Sequence, residues 1–155
     1  MTSAIIIRPY HTGDIDTIID IFQNAVRKTA SKDYNRDQIN AWATVDKERW
    51  LKRCSGKQVW IAEINNKAAG FTDLEANGHL DMMFVHPEFQ NRGVAGSLLT
   101  TVEAGVRALH LRRIFTEASI TAKPFFLNKG FSVIIEQLVE IRGQRMKNFR
   151  MEKFY

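Results

Sequence analysis

Hydrophobic positions along this chain follow two spacings in turn, and their order outlines a fold. Ala4-Ile5-Ile6-Ile7 is a short apolar run stopped by Arg8-Pro9, which predicts a buried strand. His11-Thr12-Gly13-Asp14 is a helix-start signal, with Asp14 placed to accept from an orphan amide. Ile15, Ile18, Ile19, Phe22 and Val26 then recur at helical spacing and predict one buried face. A polar stretch from Thr29 to Arg36 precedes a second helical region around Asp37 to Trp42, and Asp46 to Cys54 predicts another short helix. Val59-Trp60-Ile61-Ala62 and Ala69-Gly70-Phe71-Thr72 read as strands joined by a hairpin turn at Asn65-Asn66-Lys67. Leu80 to Val85 is the next strand, ended by His86-Pro87. Past a glycine-containing turn, Val94, Leu98, Leu99, Val102, Val106 and Leu109 mark the apolar side of a long helix. Arg113 to Ile120 predicts a strand, and Ala122 to Asn128 a short helix closed by Lys129-Gly130. Phe131 to Arg142 and Arg145 to Phe154 form a terminal hairpin around Gly143. This order implies an α/β fold, a mixed sheet with helices on both faces.

Length and composition narrow the picture. The 155 residues fit one domain spanning 1–155, and 45% hydrophobic with 25% charged residues excludes disorder as the main state. No apolar run approaches the ~20 residues of a membrane helix, and Ala4 to Ile7 is too short for a signal-peptide core. A single cysteine, Cys54, excludes an internal disulfide framework and a multi-cysteine metal site. It fits a reducing compartment, so a cytoplasmic protein without a metal or a membrane contact is expected. Cys54 beside Arg53 can have a lowered pKa, but no Cys/His/Asn grouping accompanies it, and an unreactive thiol is the plainer expectation. The net charge of +5 is uneven: residues 1–106 sum to −1 and residues 107–155 to +6. A basic C-terminal third suits an anionic cofactor or a nucleic acid. No helix-turn-helix, zinc or aromatic RNA-binding signature is present, so nucleic acid is disfavoured and a solvated basic face is the simpler reading.

The chemistry concentrates between Leu80 and Leu99. There a strand runs into a proline-stopped turn, a polar loop with small residues and a helix N-terminus. Amides of a first helical turn have no intrahelical partner, and together with the positive end of the helix dipole they suit phosphate oxygens. Gly93, Ala95 and Gly96 would let a pyrophosphate approach the backbone. Each charge-assisted bond is worth ~1.5–3 kcal/mol, against ~0.3–1 kcal/mol for the dipole, so the bonds dominate. Neither G-x-x-x-x-G-K-[ST] nor G-x-G-x-x-G is present, and an ordinary strand–loop–helix connection stays open on the glycines alone.

Gln90-Asn91-Arg92-Gly93-Val94-Ala95 resembles the Q/R-x-x-G-x-G/A signature of the GNAT N-acetyltransferases, preceded by a matching strand end, Phe84-Val85-His86-Pro87. Ala118 to Phe131 resembles that family's second landmark, a short helix ending in Gly-Phe, here Gly130-Phe131. Tyr34, Gln38-Ile39 and Ala41-Trp42 also have counterparts in its YafP-like branch, and the resemblance spans nearly the whole chain. It implies a single GNAT-type domain: a twisted, mostly antiparallel sheet of about seven strands with a splayed central pair. It implies acetyl transfer from acetyl-CoA to a primary amine of a small molecule or peptide. Pantetheine would lie in the gap between the strand ending at Val85 and that ending near Ser119, paired with main-chain groups of Met83, Phe84 and Val85. Pyrophosphate would rest on Gln90, Asn91, Arg92, Gly93, Val94, Ala95 and Gly96, extending to Ser97, with Arg92 supplying charge. Ser119 stands where many relatives have asparagine, and Phe125 and Phe126 wall the acetyl pocket or pack in the core.

Phe126 is the departure from the family pattern: many members have tyrosine there, to protonate the leaving thiolate, and Phe126 has no hydroxyl. A thiol of pKa about 8.5 leaves without much help, and water or Tyr34 is an alternative proton source. An alkylamine acceptor needs a base or a water chain, whereas an arylamine is already neutral at pH 7. Candidate bases are Asp81 and His79, on one face of their strand, and Glu75 on its neighbour; a structural carboxylate or solvated groups are the alternatives. The acceptor would meet the N-terminal helices, with Tyr34 and Trp42 as candidate contacts and core packing as the alternative for Trp42. An acyl-CoA-binding sensor with little turnover is the competing function, and a homodimer is compatible with the chain.

Overall fold

The computed structural model describes residues 3–155. Eight strands form two four-stranded sheets. The first sheet contains β1 (Ile5–Pro9), β2 (Gln58–Ile64), β3 (Lys67–Leu74) and β5 (Met83–Val85), in the order β1-β2-β3-β5, all antiparallel. The second contains β4 (His79–Leu80), β6 (Arg113–Ser119), β7 (Ser132–Ile141) and β8 (Gln144–Phe154), in the order β4-β6-β8-β7. Only the β4–β6 pair in it is parallel. The sequence pattern predicts one strand from Leu80 to Val85; the chain instead breaks at Asp81–Met82 and passes from the second sheet to the first.

Polar side chains make that break. Asp73, fully buried, accepts through one carboxylate oxygen from the N–H groups of Asp81 (2.8 Å) and Met82 (3.1 Å). The Thr72 hydroxyl donates to the Met82 carbonyl at 2.8 Å, and that of Thr116 to the Leu80 carbonyl at 2.7 Å. Buried peptide groups must be paired, and here side chains take over from the ladder where the strand changes sheets. Beyond this point β5 and β6 diverge, which is the splayed central pair.

The helices are α1 (Ile15–Asn24), α2 (Arg36–Ala43), α3 (Lys47–Arg53), α4 (Val94–Ala108) and α5 (Lys123–Asn128). A π-helical turn, Ala25–Thr29, extends α1 within its helical pattern, and a 3-10 turn, Ala30–Lys32, carries it on into the polar stretch that begins at Thr29. Asn35 and Gln38 form a reciprocal capping box at the start of α2, and Gln38 also donates to the Arg145 carbonyl, tying that helix to β8. Asp46 caps α3 by accepting from the amides of Glu48 and Arg49. Asp14 accepts from the His11 amide and pairs with Arg8 at 2.9 Å.

One core cluster joins α1, its π turn and the first sheet through Ile18, Phe22, Val26, Ile61, Phe71 and Met82. A second joins α4, α5 and the second sheet through Leu80, Leu99, Val102, Ile114, Phe126 and Met151. A third, smaller cluster packs α4 onto the first sheet through Ala62, Ile64, Ala69, Val94 and Leu98. Each fully buried aliphatic side chain contributes ~1.5–3 kcal/mol, so the three clusters hold the sheets while the break sets their divergence. Leu109, expected on the apolar side of α4, is 42% exposed, because the helix has ended one residue before it. Cys54 is buried and its thiol is pushed up to about 11 by desolvation, consistent with an unreactive side chain. Among the described residues no helix is long and apolar enough to cross a membrane.

Candidate active site

The divergence of β5 and β6 opens a cleft of about 470 Å³, roofed by the N-terminus of α4, by α5 and by the π turn after α1. β5 is an outer strand of its sheet. His86 N–H donates to the Ala69 carbonyl at 2.8 Å and Phe84 stands opposite Phe71. In an antiparallel ladder bonded and non-bonded pairs alternate, so Phe84 turns its peptide groups to β3 while Met83 and Val85 turn theirs to the cleft. The Val85 carbonyl, on this open side, accepts from the Gln90 side chain at 3.1 Å.

At one end of the cleft the chain bends through two left-handed residues, Asn91 (φ 62) and Gly93 (φ 82), before entering α4. Gly93 offers no side chain to cap the helix, and Ser97 N–H is bonded to the Gly93 carbonyl at 3.0 Å. The amides of Val94, Ala95 and Gly96 therefore lie in the first turn without intrahelical partners. The ammonium of Lys129 is beside them, 3.7 Å from where a Cβ on Gly96 would sit. Lys129 also lines the cleft, and nothing in the sequence beyond its place before a C-cap glycine marks it.

Of the residues expected at a cofactor, Met83, Phe84, Val85, Gln90, Asn91, Gly93, Val94, Ala95, Gly96, Ser119, Phe125 and Phe126 line this cleft. Arg92 and Ser97 do not: the Arg92 guanidinium lies over the Phe89 ring at 5.5 Å, and the Ser97 amide is committed to its own helix. Ser119 accepts from Ala122 N–H at 3.0 Å, leaving its own proton for the cleft. Phe126 packs between Phe125 and Phe131, with ring centroids 5.3 and 5.0 Å away, so it both walls the cleft and belongs to the core. Thr121, which sequence reasoning did not single out, also lines the cleft and donates to an Asp33 carboxylate oxygen at 2.7 Å.

The candidate acid–base residues lie elsewhere. The Tyr34 hydroxyl donates to the Lys147 carbonyl at 2.6 Å and accepts from Ile120 N–H at 2.9 Å. Tyr34 is 7% exposed and burial pushes its pKa up; it is a tie between the N-terminal helices and the second sheet rather than an acid or a substrate contact. His79 sits between Glu117 (2.7 Å) and Glu75 (3.1 Å) and stacks on Phe115. Its hydrogen bond to Glu117, ahead of the opposing desolvation, pushes its pKa up to about 9. At neutral pH it is an imidazolium giving both protons away, which disqualifies it as a base. Asp81 pairs with Arg53 at 2.7 Å and Lys57 at 3.3 Å. Burial would raise its pKa, but the bond and charge of Arg53 and then Lys57 outweigh this and hold the carboxyl below the ordinary range. Lys57 also meets Asp73 at 2.6 Å and Glu75 at 3.2 Å. Asp81, His79 and Glu75 thus form an ion-pair network at the strand break, outside the cleft. Among the described residues lining the cleft, Lys129 is the one ionisable side chain.

Trp42 is half-buried, with Phe22, Tyr34 and Phe84 around it at centroid distances of 6.2, 5.7 and 6.1 Å, and it lines the cleft at the end where the π turn contributes Ala25, Val26 and Thr29.

The split sheet, with the uncapped first turn of α4 beside the split, sets out the geometry of the site, and comparison with known proteins gives its class as an acetyltransferase. Residues 30–153 match the acetyltransferase (GNAT) domain model. The uncharacterized N-acetyltransferase YafP of Escherichia coli (strain K12) is 42% identical over 145 residues, 94% of this chain and 93% of that protein. A crystal structure of a GCN5-related N-acetyltransferase from Rhodopseudomonas palustris, described as an aminotransferase, class-II, superposes with a TM-score of 0.96 at 29% identity. That match covers 100% of this chain and 98% of the other. The fold is shared more widely: PaiA N-acetyltransferase from Thermoplasma acidophilum, solved with coenzyme A, is 20% identical with a TM-score of 0.80, over 98% and 99% of the two chains. The chain belongs to the GNAT acetyltransferase family.

Proposed function

We propose that this protein transfers the acetyl group of acetyl-CoA directly to a primary amine of a small molecule. The observation that carries this reading is the meeting, in one cleft, of an open strand edge at Met83 and Val85 with the uncapped first turn of α4. A peptide-like arm can pair with the first as an added strand does, while the second takes a diphosphate. Each amide–phosphate bond is worth ~1.5–3 kcal/mol, and Lys129 adds a cation at the same spot. Structures of fold relatives carry the same class of ligand: PaiA holds coenzyme A and YncA of Salmonella typhimurium acetyl-CoA.

When bound, acetyl-CoA supplies a thioester carbon to which the amine nitrogen bonds as the C–S bond breaks, the sulfur keeping the electron pair and the nitrogen losing a proton to water or to that sulfur. The chain's part is orientation and polarisation. Val85 N–H faces the cleft where Phe84 N–H does not, so Val85 is the main-chain donor for the thioester oxygen. Phe126 gives no proton, and a thiol of pKa about 8.5 needs none. No carboxylate or imidazole lines the cleft among the described residues, so the acceptor attacks as an already neutral amine. The rate is then expected to rise with pH up to the pKa of the acceptor itself and to level off there.

Calorimetric titration with acetyl-CoA and CoA, followed by measurement of thiol release across polyamines, amino acids, aminoglycosides, arylamines and peptides, tests the reading. Saturable binding with thiol release on at least one amine is expected. Absence of binding on folded protein overturns it, and binding without release on any amine replaces it with an acyl-CoA sensor.

A further inference from the structure

A second cavity, of about 270 Å³, opens behind the cleft between α1, α3 and the β7–β8 turn. Trp42 lines both spaces. Phe84 lines only the cleft and Phe22 only the second cavity, and their rings meet at 4.9 Å, nearly perpendicular. The partition between the two spaces is therefore two rings thick at Phe22 and Phe84 and a single ring thick at Trp42. On its far side the cavity has an aromatic floor, Phe22, Trp42 and Trp50, and a rim of three guanidinium groups, Arg49, Arg53 and Arg142.

The rim is cationic in excess. Arg53 is neutralised by Asp81 at 2.7 Å and lies over the Trp50 ring at 5.2 Å. Asp46, the carboxylate in this lining, accepts from the first amides of α3. Arg142 makes one bond, to the Ala41 carbonyl at 3.2 Å. Among the described residues no carboxylate pairs with Arg49 or Arg142. Planar guanidinium forks select carboxylates, and aromatic walls select a flat body.

Resting on the acetyltransferase reading above, we propose that this cavity is the acceptor site and that its ligand is an aromatic amine carrying a carboxylate, of the aminobenzoate type. The carboxylate sits on Arg49 and Arg142, the ring against Trp42 and Trp50, and the amino group passes the Trp42 edge toward Val85. An aromatic amine also meets the demand of a cleft without a base, since it is neutral at pH 7. The N–C bond forms and the C–S bond breaks as already described.

The test compares 2-, 3- and 4-aminobenzoate with the corresponding aminobenzamides, which keep the ring and amine but lose the charge. In the wild-type protein the best acid is expected to exceed the best amide in kcat/KM by about 10-fold or more, a difference of about 1.4 kcal/mol. Arg49→Ala and Arg142→Ala are expected to erase that gap, by raising KM more for the acid than for the amide, and to leave acetyl-CoA affinity unchanged. Calorimetric binding of the best aminobenzoate to the CoA complex, lost in both variants, gives a readout free of turnover. Equal use of acids and amides, or equal losses for both in the variants, overturns the inference and leaves the acetyltransferase reading standing. Absence of thiol release with every amine overturns both.

Discussion

Tyr34 shows how far a side chain's surroundings can redirect its chemistry. Its hydroxyl looks available in the sequence, yet in the fold it joins two backbone groups, at Lys147 and Ile120, that are distant in the chain. Tyr34→Phe leaves the Ile120 amide and the Lys147 carbonyl short of a partner, and is expected to cost about 1–3 kcal/mol in chemical denaturation while leaving acetyl-CoA affinity unchanged. His79 yields a pH prediction. Its folded-state pKa of about 9 lies above the ordinary 6.5, so its contribution to stability is complete below pH 6.5 and is lost as pH rises through 9. Denaturation midpoints between pH 7 and 10 are expected to fall more steeply for the wild type than for His79→Gln. The roles of Thr72, Asp73 and Thr116 were not legible beforehand. A buried carboxylate inside a strand looks, in sequence, like the point where the strand has ended, and its partners, the amides of Asp81 and Met82, are fixed only by tertiary pairing.

At the level of elements, regular periodicity made α1, α4 and the terminal hairpin readable, and the loop before α4 stood out because left-handed turns and close backbone approach demand small residues. The handover between β4 and β5 left no such trace: Leu80 to Val85 is continuously apolar apart from Asp81, and periodicity alone cannot say that its two halves have different neighbours. The π turn that carries Ala25, Val26 and Thr29 into the cleft was likewise hidden, since it keeps the helical spacing of α1 nearly to its end. Gly70 is where β3, β5 and α4 are pressed together: a Cβ there would fall 2.8 Å from the Phe84 carbonyl and 3.0 Å from Val94. Gly70→Ala must push β5 into the cleft or α4 off the sheet. A lower melting temperature and an acetyl-CoA dissociation constant raised roughly 10-fold, about 1.4 kcal/mol, are expected by calorimetry.

Across the whole molecule, three buried clusters reach the cleft, through Val26, Phe126 and Val94, so a ligand lying there touches all of them. Acetyl-CoA at 100 times its dissociation constant should add about 2.7 kcal/mol to stability, visible as a rise of several degrees in a thermal melt; an unchanged melt at that concentration contradicts binding to the folded form. The basic C-terminal third is partly spent inside the fold, Arg113 on Glu152 and Lys153 on Glu103, while Lys129 stands at the cleft. Summed charge by itself could not assign these separate fates. The peptide groups that Met83 and Val85 turn into the gap have one more consequence. Apart from the Val85 carbonyl, which Gln90 takes up, they form the kind of unpaired ribbon margin through which proteins adhere to one another. The coenzyme that serves as reagent is then also a plug, and starving the protein of it should expose a seam prone to unwanted self-association.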